Sequence, residues 1–486
     1  MSALAQARPI ARRLPRIRPR TRPVEFGLLA IVTLALLVGG ASLGATEQWL
    51  RAQAGGEKLG AFGFAPPDPR GLGVYLGALL VVHVAFVLSG RRTDQILLPA
   101  VAMLGGIGLL LMQRLPQDLV TQSLGSVELR LGQLQLLWLI ISLTVVSLLA
   151  LLVRSDHWLR AYKYTWAAAG ITLLAMTFVF GTDVNGERLT LTIGPVSGQP
   201  SELLKVILVV FLAAYLSENR SLLAEESTRI GPLRLPPIPY LAPMVAMWAI
   251  ALGVVVVQGD LGAALLFFAV FLALLFVATG RLSFVVGGMV LFLVGSFVLY
   301  QLFGHVQQRV DNWLDPFRDP LGSGFQTVQA LYAFARGGLL GVGLGAGLPT
   351  IGGHLPVPAV HTDYPLAALG EELGLVGLLA IFGLYLVIVE RGLRIAAAAQ
   401  DEFRALLAAG LSLVIGIQAF IIAAGNLKLI PLTGITLPLI SYGGSSLLAN
   451  ALAVGLLLAL SDRGAVPPPP PKRRRRFGLP GRRRAR

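Results

Sequence analysis

The stretch NLKLIPLTGITLPLISYGGSSLLAN, from Asn426 to Asn450, lies between two long apolar segments and places turn formers where a membrane helix would have to continue. Pro431 and Pro438 cannot sit inside a regular helix, because proline lacks the amide hydrogen and its ring clashes with the preceding turn. Gly434, Gly443 and Gly444 permit tight turns and close backbone approach. The stretch therefore reads as a loop that dips and a helix that restarts. Irregular backbone at membrane depth survives only when it is buried in protein or lines a watery cavity, so the stretch marks a site within a polytopic helical protein.

The composition independently requires a membrane. Hydrophobic residues make up 55% of the 486 and charged residues 13%, with a mean hydropathy of +0.73, more apolar surface than a soluble fold could hide. There is no cysteine, which excludes disulfides, thiolate metal sites and cysteine nucleophiles. The net charge of +15 is concentrated at the two ends, in the arginines from Arg8 to Arg22 and in the runs Lys472 to Arg476 and Arg482 to Arg486. These ends carry almost no aromatic residues for base stacking and flank apolar spans. They read as cytoplasmic, positive-inside anchors that also touch anionic lipids, and no nucleic acid is expected as a partner. The apolar core at 26–45 is too long for a usual signal-peptide core and reads as a retained anchor.

The fold class expected is an all-α polytopic membrane protein with about 12 transmembrane helices. The spans fall near 26–45, 72–90, 95–112, 134–154, 163–181, 201–217, 239–257, 260–279, 282–303, 366–391, 404–425 and 441–461. An even number puts both basic tails on one side, and the basic connections at Arg91, Arg154, Arg160, Lys163, Arg281 and Arg391 fall on that side too. The other side receives a long extracytoplasmic loop, 304–365, between helices 9 and 10. Its length suggests function, and its turn formers and apolar residues together predict short interfacial helices.

Ionisable groups are rare beside the spans, so each one counts. Gly259-Asp260 at a helix start makes a good N-cap, which alone would explain the aspartate. Glu202 and Lys205, three residues apart after Pro200 and Ser201, share one helix face and read equally as a self-neutralised helix end or as part of a pathway. In HTDYPLAALGEELG, His361 and Asp363 precede the tenth span and Glu371 and Glu372 lie about two turns inside it. No HExxH spacing or second histidine accompanies them, so no dedicated metal site is predicted.

Together, QGDLG at Gln258, QPSELLK at Gln199, NGERLTL at Asn185, the His361 stretch and the opening signature closely resemble the motifs of the SEDS family of FtsW/RodA/SpoVE-like membrane enzymes. These build peptidoglycan glycan strands from lipid II. The resemblance covers roughly 95–462 with ten spans and implies this organisation: a basic cytoplasmic tail at 1–25, two additional N-terminal helices at 26–94 for packing or partner docking, the glycosyltransferase membrane domain at 95–462, and a Pro/Arg-rich cytoplasmic tail at 463–486. Gly259 stands where the family has proline, and Thr190 where tryptophan is usual.

The resemblance makes Asp260 the catalytic residue. The 4-hydroxyl of one sugar must attack the anomeric carbon of another and expel a lipid pyrophosphate, and a carboxylate that accepts the proton suffices for one inverting displacement. It implies substrate-binding roles for Arg188, Glu202, Lys205, Gln258, His361, Asp363, Glu371, Glu372, Asn426, Lys428, Thr433, Ser441, Ser445 and Ser446. Ser441, Ser445, Ser446 and Thr433 read equally as hydroxyls that satisfy freed backbone groups. A divalent cation, Mg or Mn, neutralising the pyrophosphate is chemically reasonable, and no organic cofactor is expected. The partners implied are lipid II, the nascent glycan strand and a monofunctional class B penicillin-binding transpeptidase, at the plasma membrane, in elongation or division. Competing classes are a lipid II flippase or secondary transporter, and a noncatalytic scaffold. A transporter would ordinarily show internal repeats with matching broken helices, a symmetry not visible here.

Overall fold

The structure, a computed structural model, describes residues 19–55, 68–124, 126–184, 187–193, 196–224, 228–230, 233–235, 238–347, 357 and 359–462. The basic tails at 1–18 and 463–486, and Asn185, lie outside the described residues. The described residues are mostly helical. The helices are α1 (Pro23–Gly55), α2 (Pro69–Ser89), α3 (Leu97–Arg114), α4 (Leu131–Leu152), α5 (His157–Ala161), α6 (Lys163–Phe180), α7 (Pro200–Ala224) and α8 (Ile238–Val257), followed by α9 (Leu261–Thr279), α10 (Leu282–Leu302), α11 (Gly304–Leu314), α12 (Phe325–Gly337), α13 (Pro365–Ala397), α14 (Glu402–Asn426) and α15 (Gly444–Ser461).

Ten of the described helices are long and apolar enough to cross a membrane. The spans expected at 163–181 and 239–257 are also helices, α6 and α8, but they are not among those ten. Helices α3 and α7 are buried along most of their length, whereas α10 packs on α9 through Phe292 and has no fully buried residue, exposing large apolar side chains such as Val290 and Phe297. An apolar helix in that state needs lipid or another membrane helix around it.

Short strands, which periodicity did not reveal, form three antiparallel sheets in the connections. Strands β1 (Thr121–Leu124) and β2 (Val127–Arg130) make a hairpin between α3 and α4. Strands β3 (Gly181–Val184), β4 (Glu187–Ile193) and β5 (Val196–Gly198) form a three-stranded sheet before α7, and β6 (Thr228–Ile230) pairs with β7 (Leu233–Leu235) after it. Each run is only three to seven residues long, too short for a periodic signal to rise above its turn residues.

The two ends of the bundle differ chemically. At one end the basic connections are joined by ion pairs, Arg391 to Asp94 at 2.5 Å, Arg404 to Asp156 at 2.7 Å and Arg160 to Asp401 at 3.7 Å. At the other end lie the long loop and the signature segment. The loop does contain short helices, α11 and α12. Beyond α12, the glycine run inserts into a break in α13 at Gly374, whose φ of 65° favours glycine. The break frees backbone groups, and the inserted run satisfies them: Val342 and Gly343 donate to the carbonyls of Glu371 and Glu372, while Leu375 and Val376 donate to those of Gly338 and Leu339, all at 2.9 to 3.1 Å.

The first two helices pack into the same core as the rest. Leu36, Leu43, Leu72, Tyr75 and Phe86 are buried in it, and the Tyr75 hydroxyl donates to Ala102 O at 2.8 Å. At the far end of α1, the Thr46 hydroxyl donates to Leu344 O, in the inserted run, at 2.9 Å.

Candidate active site

Asp260 is the N-cap of α9, and its carboxylate is used on both oxygens. Oδ1 accepts from Ala263 N at 2.9 Å, which satisfies an otherwise orphaned amide of the first turn. Oδ2 accepts from Gln199 Nε2 at 2.8 Å and from the Ser201 hydroxyl at 3.1 Å. Capping therefore occupies one oxygen, and the other faces polar side chains at the β5–α7 junction. Burial raises the carboxyl above its ordinary range, the nearby charge of Glu202 adds to this, and the three hydrogen bonds pull the other way.

The signature segment packs against the first turn of α9, just after this carboxylate. A Cβ on Gly262, two residues into α9, would sit 2.3 Å from Thr433 O. Only glycine lets the loop approach so closely. Gly262→Ala is expected to displace the loop at a cost of about 1–3 kcal/mol and to reduce activity. Gly253→Ala on α8, where an added Cβ meets nothing within 4 Å, should leave activity unchanged; equal effects of the two would show that contact with Thr433 is unimportant.

Three groups of hydrogen bonds hold the loop. Ser441 Oγ donates to Thr362 O at 2.6 Å, and Tyr442 N donates to His361 O at 2.8 Å. Asn426 Nδ2 donates to Asp363 O at 2.9 Å. From below, Lys205 Nζ, 1% exposed, donates to Glu202 Oε2 at 2.6 Å and to Gln418 Oε1 at 2.6 Å. Glu202 Oε1 accepts from Thr436 Oγ1 at 3.3 Å, which is also bonded to Ser446 Oγ at 2.6 Å. Within this cage Leu439 is held at φ 67°, a conformation that a bulky residue adopts only when its surroundings enforce it.

Asp363 joins Asp260 electrostatically. Burial pushes its carboxyl up to about 6, with the charge of Asp260 adding to the rise and the Thr362 hydroxyl and Arg309 opposing it. Burial lowers His361 below its ordinary value. Thr433 Oγ1, Asn426 Oδ1 and His361 Nδ1 are buried with no hydrogen-bond partner among the described residues, a costly state that invites a ligand.

The remaining expected residues are placed as follows. Lys428 reaches out to α11, donating to Leu314 O at 3.3 Å, while its own carbonyl accepts from Trp313 Nε1. Ser445 sits beside Gly198 of β5. The Gln258 amide turns away to α6, donating to Leu174 O at 3.3 Å and to the Thr177 hydroxyl. Glu371 pairs with Arg336 at 2.9 Å and Glu372 with Arg114, so both serve the insertion of the glycine run. Arg188 lies in β4, and its side chain is outside the described residues. Among the described residues no group of three or more His, Asp or Glu side chains converges on one point, so they form no protein cage for a cation.

Sequence reading missed Gln199, Ser201, Thr436, Gln418 and Asn450, the last lying 3.4 Å from Lys205 Nζ. All but Gln418 stood within motifs already singled out. Gln418 lies in an apolar helix, where a lone amide was the available signal.

A family model described as cell cycle protein, covering FtsW, RodA and SpoVE, matches residues 95–464. The peptidoglycan glycosyltransferase RodA of Mycobacterium tuberculosis is 41% identical over 382 residues, 78% of this chain and 80% of the relative. A protein of Nitrosococcus halophilus named probable peptidoglycan glycosyltransferase FtsW is 39% identical over 294 residues, 60% of this chain and 72% of the relative. Among solved structures, a chain from work on the structural coordination of polymerization and crosslinking by a peptidoglycan synthase complex matches with TM-score 0.58 and 28% identity, covering 76% of this chain and 98% of that one. The rod shape determining protein RodA of Thermus thermophilus matches with TM-score 0.51 and 25% identity, covering 76% and 97%.

Proposed function

Because the chain belongs to the FtsW/RodA/SpoVE family and is a peptidoglycan glycosyltransferase of the membrane, we propose that it polymerises lipid II by a single inverting displacement with Asp260 as general base. The observation that supports this most is the carboxylate itself. It is buried, raised in pKa, held by Gln199 and Ser201, and set at the start of a helix turn on which the signature loop packs. A carboxylate whose pKa is raised toward neutrality takes a proton from a sugar hydroxyl more readily than an ordinary surface aspartate.

The unpartnered atoms of Thr433, Asn426 and His361 suit hydroxyl and phosphate groups of the substrate. Arg188 and Lys428 are assigned to the diphosphate, and Glu202, Lys205, Ser441 and Ser446 to holding the loop. The RodA-named relative matches more of the chain than the FtsW-named one, which favours elongation. The likeness to a chain of a peptidoglycan synthase complex supports a class B penicillin-binding transpeptidase as partner. A divalent cation, Mg or Mn, would arrive on the substrate's diphosphate, since the described residues converge on no three-ligand cage.

The basic end of the bundle and its tails face the cytoplasm under the positive-inside rule, with anionic lipid against the tails, and the site faces outward. Protease accessibility of the tails in sealed vesicles checks this, since tails exposed on the outside would invert the site.

Purified protein supplied with lipid II should build glycan polymer. Its rate should fall as the solution is acidified, because a base must be ionised to act. Asp363 takes up its proton at about 6, and Asp260, raised by burial, takes up its proton at a higher pH than an ordinary aspartate. A rate that stays flat from neutral into acid solution, in protein that remains folded, would reject a carboxylate base. Movement of lipid II across the bilayer without polymer would make the transporter the better reading.

A further inference from the structure

The two N-terminal helices create a feature that the glycosyltransferase chemistry does not use. On their exposed side, α1 and α2 flank an open groove of about 320 Å³, lined by hydrocarbon side chains such as Leu34, Leu37 and Leu80, with Thr33 and His83 as its polar members. From Phe26 to Leu37 the groove follows about 11 residues of α1, roughly 16 Å at the helical rise. That is about half of a hydrocarbon core about 30 Å thick, the depth of one leaflet. At its polar end the His83 imidazole lies 2.7 Å from Glu25, and Glu25 pairs with Arg22, so this end is already neutralised.

One turn before Phe26 the chain enters the basin where the basic connections meet. The basin measures about 1340 Å³ and is lined by nine arginines against four aspartates. Every aspartate is taken, by Arg91, Arg160, Arg391 or Arg404. Among the described residues, the guanidinium groups of Arg20, Arg92 and Arg154 have no hydrogen bond or ion pair. The chain's own arginine-rich ends carry the same sign and cannot neutralise the excess.

We propose that an anionic phospholipid of the leaflet at this end occupies groove and basin together, with one acyl chain between α1 and α2 and its phosphate against Arg20, Arg92 and Arg154. Basic pockets between transmembrane helices hold anionic head groups in this way. A positive-inside anchor needs the charge but not the groove. The groove separates the two explanations.

The test uses the full chain in nanodiscs of phosphatidylcholine with and without phosphatidylglycerol, reading the lipid retained after detergent washing by native mass spectrometry. Wild type should keep one phosphatidylglycerol in preference to phosphatidylcholine, by roughly 100-fold given three arginines. Arg20→Ala/Arg92→Ala/Arg154→Ala should lose that preference, and Ala30→Phe, which fills the groove and leaves every charge in place, should lose retention. Leu34→Trp on the groove's exposed edge serves if Ala30→Phe does not fold. Retention unchanged in the groove variants would mean that surface charge alone recruits lipid and would overturn the proposal, as would an unaltered preference in the arginine variant.

Discussion

Asp260→Asn is expected to lower glycan synthesis about 10²–10⁴-fold, the usual cost of removing a general base, while the protein stays folded. The amide oxygen can still accept from Ala263 N and so keeps the helix capped. Its nitrogen would face Gln199 and Ser201, which can turn to offer their own oxygens. Stability should therefore change by no more than about 1 kcal/mol, the scale of a lost cap. Thermal unfolding and lipid II binding near those of wild type, with polymer gone, support catalysis. Near-normal synthesis by the variant would return Asp260 to a purely structural cap. Ser201→Ala, which removes one of the two donors to Oδ2, should fall between the two and shift the acid limb of the rate profile to higher pH, because a hydrogen bond that favours the charged carboxylate has been lost.

The second large effect concerns the buried charges of α7. Glu202→Leu leaves the Lys205 ammonium, 1% exposed, with only the amide oxygens of Gln418 and Asn450 around it. An uncompensated buried charge costs about 3–5 kcal/mol, so little folded protein should be recovered. Lys205→Met should be equally damaging, because Glu202 then keeps only the Thr436 hydroxyl. The double variant removes both charges and should recover most of the folded protein. It should still polymerise poorly, since the bond from Thr436 to Glu202 is gone and the signature loop loses its support. Full activity in the double variant would show that this pair serves the fold and not the site. Single variants as stable as wild type would show that Lys205 and Glu202 do not depend on each other for neutralisation.

How much of this was legible without the structure follows from the range of each interaction. The helices and the break at Pro431 and Pro438 were legible because hydropathy and proline geometry act over a few residues. The capping role of Asp260 was legible for the same reason, being settled within three residues of chain. Assigning the base rested on motif resemblance, since a cap and a catalytic carboxylate look alike locally. Gln258, Glu371 and Glu372 stood in the same motifs as the site, yet their side chains turn to α6, Arg336 and Arg114. Spacing along the chain does not say which way a helix faces its neighbours.

The sequence by itself determined that this is a polytopic helical membrane protein with one chemically distinctive loop, because burying so many apolar residues and satisfying the backbone in lipid leaves few alternatives. Which end of the bundle gathers the arginines was also implicit in the alternation of loops. Only the tertiary structure decided that Thr433 packs on Gly262 beside Asp260, that the glycine run fills the break in α13, and that Lys205 lies beneath the signature loop. Those contacts join residues far apart in the chain, and their geometry depends on how α7, α9, α13 and α14 pack together, which no local preference encodes.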